Sequence, residues 1–104
     1  MQRPLDEELR DLRRAIDAID EQILTFLARR FAIADEIAEH KALRRQAVVQ
    51  PDRAQEVRAR YLEAGAALGL NPPFLSALWT LVHEESCRRQ GERLRAFERS
   101  TRTV

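Results

Sequence analysis

Residues Leu9 to Lys41 read LRDLRRAIDAIDEQILTFLARRFAIADEIAEHK, and this stretch decides the fold. Apolar side chains recur at Leu9, Leu12, Ile16, Ile19, Ile23 and Phe26, an alternation of threes and fours that keeps one stripe of a helix facing a partner. Arg30 takes the next place, and the stripe resumes at Ile33 and Ile37 before reaching Lys41. Two cations therefore lie on or beside a face that otherwise carries hydrocarbon. A buried unpaired charge is costly, so the pattern points to an anion at this face; Arg30 has the alternatives of snorkelling to water or pairing with a carboxylate. Lys41 is the one lysine among 18 basic residues. A guanidinium clamps planar carboxylates and an ammonium is a compact point charge, so the two residues divide a task.

Working outward, Pro4 followed by Asp6, Glu7 and Glu8 predicts a helix start with acids at the positive end of the dipole. No glycine or proline follows until Pro51, so the helix runs to about Ala42, roughly 37 residues and 55 Å. A 104-residue globule has a radius of gyration near ~13 Å, so this helix needs apolar cover from a second chain. Leu43 to Pro51, with Ala47, Val48 and Val49, reads as an ordered loop. A second helix is predicted from near Asp52, with Ala54, Val57, Tyr61 and Ala64 on one face. Gly69 is placed to take a left-handed conformation, with Leu70 folding back and Asn71 capping a third helix that opens with Pro72 and Pro73. That helix carries Leu75, Leu78 and Val82 on its seam, helped by Phe74, Trp79 and Leu81, and the seam turns polar at Ser86 and Gln90. Gly91 to Val104, with Arg93, Arg95, Arg99 and Arg102 against Glu92 and Glu98, reads as a frayed helix end or disordered tail, with a weak electrostatic contact with anions as the alternative. The expectation is an all-α chain of three helices with a very long first helix, a single domain over 1–104 with its core at about 5–90.

Eighteen basic residues against 17 acidic leave a net charge of +1, too small a field for nucleic acid as the main partner. The single cysteine, Cys87, cannot form an internal disulfide, and His40 and His83 have no ligand spacing for a metal. Ser86 lacks a base, and the glycines at 65, 69 and 91 build no phosphate loop. No apolar run reaches the length of a membrane span, and Met1-Gln2-Arg3-Pro4 has no apolar signal core behind it, so a cytoplasmic protein is expected. What remains is a small anionic ligand. Arg30 and Lys41 are 11 residues apart, nearly the same azimuth after three turns, and long side chains ~16 Å apart at the backbone can converge on one such ligand. Arg13 precedes Arg30 by 17 residues, about 25 Å, and can join that ligand only from an antiparallel partner chain. A composite site at a dimer interface follows.

Over roughly Leu9 to Gln90 the chain resembles the all-helical chorismate mutases. The matching text is Leu12-Arg13-Arg14-Ala15-Ile16-Asp17-Ala18-Ile19-Asp20, then Arg29-Arg30, Ile37-Ala38-Glu39-His40-Lys41, Asp52-Arg53, and Glu84-Glu85-Ser86 with Gln90. The resemblance implies an intertwined homodimer with two equivalent sites, each borrowing Arg13 from the other subunit. It also implies rearrangement of chorismate to prephenate, a pericyclic shift that requires no metal, cofactor or nucleophile. Arg13, Arg30, Arg53 and Ser86 would clamp the two carboxylates of this small dicarboxylate substrate in a compact chair. Lys41 and Gln90 would donate to the ether oxygen as it gains negative charge.

The text departs from the family pattern at Gln50 and Ala54, where acids usually hold the ring 4-hydroxyl. Gln50-Pro51-x-Arg53 and Cys87-Arg88 look more like the branch acting on 4-amino-4-deoxychorismate in secondary metabolism, and isochorismate pyruvate lyases are similar in lacking that glutamate. His83, one turn before Cys87, is a further lining candidate. A non-catalytic helical dimerisation or regulatory module, with Arg30 and Lys41 paired to acids of the partner chain, is the alternative of another class.

Overall fold

The computed structural model describes residues 4–45 and 50–102 and contains three helices: α1 (Leu5–Leu43), α2 (Pro51–Ala67) and α3 (Pro72–Arg102). Among the described residues there is no strand. Gln46, Ala47, Val48 and Val49 of the expected loop, Thr103 and Val104 of the expected tail, and Met1, Gln2 and Arg3 lie outside the described residues. The chain divides into two units, Met1–Ala32 and Ile33–Val104.

The first unit is the amino-terminal part of α1. Asp6, Glu7 and Glu8 occupy its first turn, where the positive dipole end favours them, and the Glu7 and Glu8 amides donate to the Pro4 carbonyl at 3.0 and 3.2 Å. The helix is 39 residues long, about 58 Å at the α-helical rise. Leu9, Leu12, Ile16, Ile19, Ile23 and Phe26 are all 45–64% exposed in the single chain. The stripe read from the sequence is thus present, and within one chain it is left uncovered.

In the second unit, α2 and α3 form a tightly turned pair. Gly69 has φ +80°, its amide donates to the Ala66 carbonyl and the Leu70 amide to the Gly65 carbonyl, both at 3.0 Å. These are the paired bonds of a Schellman stop, with glycine where a Cβ would be strained. Asn71 accepts from the Phe74 amide through Oδ1 at 3.3 Å and caps α3, whose first turn holds Pro72 and Pro73. A Cβ added to Gly65 would fall on the Leu75 side chain, so the two helices pack closely there. Leu75 and Val82 are buried, as are Ala34, Ala38 and Ala42 on the carboxyl-terminal part of α1, which also lies in this unit. Phe74 and Leu81, expected to help the seam, are 54% and 66% exposed.

Two boundaries differ from expectation. α2 begins one residue earlier than Asp52: Pro51 takes the first helical position and extended Gln50 is the cap, without a side-chain capping bond. The ring of proline fixes the helical φ there, so the acid falls inside the first turn. α3 continues through Gly91 to Arg102, past the expected core limit near residue 90. Arg88 bridges Glu85 and Glu92 across that glycine, and no proline interrupts the segment. An interior glycine costs only ~1 kcal/mol relative to alanine, too little to end a helix supported on both sides.

Candidate active site

The carboxyl end of α1 presents Lys41 to α3, where Gln90 receives it: Lys41 Nζ donates to Gln90 Oε1 at 2.9 Å. Gln90 is buried and Lys41 half-buried. An ammonium can only donate, so it selects the carbonyl end of the amide and turns the Gln90 NH₂, a pair of donors, away from itself. Burial lowers the pKa of Lys41 below its ordinary 10.5, opposed by the field of the nearby Cys87. One helical turn before Gln90, Ser86 is also buried. The polar continuation of the α3 seam is therefore inside the unit, on the same face as buried Val82.

His83 stands on the adjoining strip of α3. Its ring stacks on Trp79 with centroids 4.8 Å apart and planes 11° from parallel, and Cys87 Sγ lies 3.6 Å from its Nε2. Trp79, His83 and Cys87 recur at i, i+4 and i+8, so helical spacing brings them into a row. Gln50 and Ala54 meet at the start of α2, where the Ala54 amide donates to the Gln50 carbonyl at 3.0 Å; Gln50 is exposed and Ala54 half-buried. Arg53 points to solvent with 57% of its side chain exposed and pairs with Glu56 on its own helix at 3.3 Å. Arg13 and Arg30 belong to the first unit, Arg13 exposed and Arg30 half-buried. The second unit thus brings together Lys41 and Gln90 directly, with Ser86 and His83 on the same helix as Gln90.

The sequence reading missed a buried acid. Asp35, 8% exposed, accepts from Arg89 Nε at 3.2 Å and Nη2 at 2.7 Å, and from Arg93 Nη2 at 3.3 Å. The Arg89 hydrogen bonds hold its carboxyl below the usual carboxylate range, and Asp35 in turn raises the pKa of Arg89. A signal existed: Asp35 shares a helical face with Ala38 and Ala42, at spacings of three and four.

Residues 12–91 match the family described as chorismate mutase type II. The chain belongs to that family. Chorismate mutase activity, an isomerisation, is the activity this membership supports. The chain is 34% identical over 89 residues to a 4-amino-4-deoxychorismate mutase of Streptomyces pristinaespiralis, covering 86% of this chain and 66% of that protein. It is 33% identical over 81 residues to a 4-amino-4-deoxychorismate mutase of Streptomyces venezuelae, covering 78% of this chain and 79% of that one. A bifunctional chorismate mutase/prephenate dehydratase of Escherichia coli is 33% identical over 75 residues, 72% of this chain but only 19% of the longer protein. Among the described residues, no helix of this family member is long and apolar enough to cross a membrane.

Proposed function

We propose that this chain rearranges chorismate to prephenate in a homodimer with two shared sites, and that Lys41 and Gln90 carry the chemistry. The observation that supports this most directly is the Lys41–Gln90 hydrogen bond at 2.9 Å, a cation and an amide held together on the polar continuation of an apolar seam. In the rearrangement one C–O bond breaks as one C–C bond forms, and negative charge develops on the ether oxygen. An ammonium carries three donors and the amide nitrogen two, and both groups can strengthen their hold as that charge grows. Arg30, Arg53 and Ser86, with Arg13 of the second subunit, would bind the two carboxylates and select the reactive chair. For Arg53 this means exchanging exposed Glu56 for a substrate carboxylate, a small cost because such surface pairs are worth little.

The second reading, 4-amino-4-deoxychorismate as substrate, is supported by the Gln50-Pro51-x-Arg53 and Cys87-Arg88 text and by the names of the two Streptomyces relatives. One experiment separates these from a non-catalytic dimerisation module. A dicarboxylate analogue of the bicyclic transition state should raise the melting temperature, since a ligand bound only by the folded state stabilises it. Turnover of chorismate and of its amino analogue should then be detectable and should be abolished by Lys41→Ala with the helical fold retained. Indifference to the analogue and to both substrates would refute the enzymatic reading.

A further inference from the structure

In the second unit polar contacts join α1 to α3 at two places, Asp35 with Arg89 and Arg93, and Lys41 with Gln90. Arg89 and Gln90 are consecutive, so the fork that grips Asp35 and the amide that receives Lys41 move as one piece of helix. A slip of α3 by a single residue is about 1.5 Å along the axis, enough to break a 2.9 Å hydrogen bond. The fork is also the more directional of the two contacts, because a planar guanidinium meeting a carboxylate through two N–H groups tolerates little rotation. Buried ion pairs add little net stability over hydrocarbon, but they penalise every register in which the charges part.

We infer that Asp35, through Arg89 and Arg93, is a positioning residue that sets the register of α3 so that Gln90 meets Lys41. The inference rests on the proposed roles of Lys41 and Gln90, although the positioning itself can be measured without turnover. Asp35 is 88% covered at its side chain and Arg89 66%, so the clamp is shielded where Lys41 and Gln90 are held. Lys41 faces Gln90 and the thiol of Cys87, and its lowered pKa reports how closely α3 covers it.

The single lysine makes that cover observable, because a labelled lysine side chain gives one nuclear magnetic resonance signal to titrate. In the native protein its midpoint should lie below 10.5. In Asp35→Asn it should rise toward that ordinary value as the ammonium rehydrates. Removal of a negative charge would by its field alone lower an ammonium's pKa, so a rise can come only from loosened cover. A midpoint that stays put or falls overturns the inference, whether or not the protein turns over chorismate.

The kinetic arm uses the active protein. Asp35→Asn should lower kcat at least about tenfold, the order expected for a misplaced donor, while KM changes far less. In a Gln90→Ala background the same substitution should change kcat less than about twofold, because the group it positions is gone. Equal losses in both backgrounds, or no loss in a folded Asp35→Asn protein, would overturn the assignment. Should Asp35→Asn fail to fold, Asp35→Leu combined with Arg89→Met replaces the pair with hydrocarbon and must give the same kinetic result; its titration does not serve, because losing the Arg89 cation itself raises an ammonium's pKa. A native protein that turns over neither substrate would instead count against the proposed function, leaving the titration to decide the positioning.

Discussion

Lys41 was legible because it broke a pattern: a cation at the end of an apolar stripe, and the chain's one ammonium. Gln90 was legible in the same way, as the polar continuation of the α3 seam. Asp35 was not, since an acid on a helix rich in Asp and Glu reads as solvated, and its partners Arg89 and Arg93 are 54 and 58 residues away. The pH dependence follows from Lys41. Burial lowers its pKa, so the charged form is lost earlier on raising pH than for an ordinary lysine. We expect kcat/KM to fall along an alkaline limb below 10.5, with neutral Gln90 adding no limb of its own; a profile flat to that pH would remove Lys41 from the chemistry. The proposed substrate choice is tested at Ala54. Losing a charge-assisted hydrogen bond costs ~1.5–3 kcal/mol, so Ala54→Glu should raise kcat/KM on chorismate roughly ten- to a hundredfold. Competition between chorismate and its amino analogue measures the change, and no gain would mean that another residue already holds the ring hydroxyl.

At the scale of elements, local chemistry gave the α2–α3 turn almost residue by residue. Gly69, Leu70, Asn71 and the two prolines each meet a backbone requirement that no distant contact can override, and the observed bonds are those their types demand. The end of α3 was hidden because one glycine in a charged segment resembles a stop, whereas the side chains of Arg88, Glu85 and Glu92 span it at helical spacing. The start of α2 shifted by a residue because proline at the first helical position outweighs the capping preference of Asp52. Stability should respond accordingly. Gly69→Ala forces a Cβ into φ +80°, although open space surrounds it, so the expected loss is the backbone strain alone, ~1–2 kcal/mol. Denaturant melts would show it as a lower midpoint with unchanged slope. An unchanged midpoint would mean that the left-handed stop is not formed.

For the whole molecule, α1 poses the question that one chain does not answer. Its stripe from Leu9 to Phe26 is exposed along about 26 Å of helix, and a monomer would hold that hydrocarbon in water. A second copy is the simplest cover, since a two-fold pairing buries the same patch on both chains. Sedimentation at micromolar concentration should therefore give a dimer, and a well-folded monomer would exclude the arrangement. The shared site makes a sharper demand. If each site takes Arg30 from one chain and Arg13 from the other, Arg13→Ala and Arg30→Ala homodimers should both be inactive. In a mixed dimer, the Arg13→Ala chain still offers Arg30 to the partner's intact Arg13, which restores one site, while the other site loses both. Random exchange of equal amounts makes half the dimers mixed, so activity should recover to about a quarter of the native level. Recovery on that scale requires both arginines to act at one site across the interface, and none after confirmed exchange would place Arg13 and Arg30 in the same subunit's function or in no site at all.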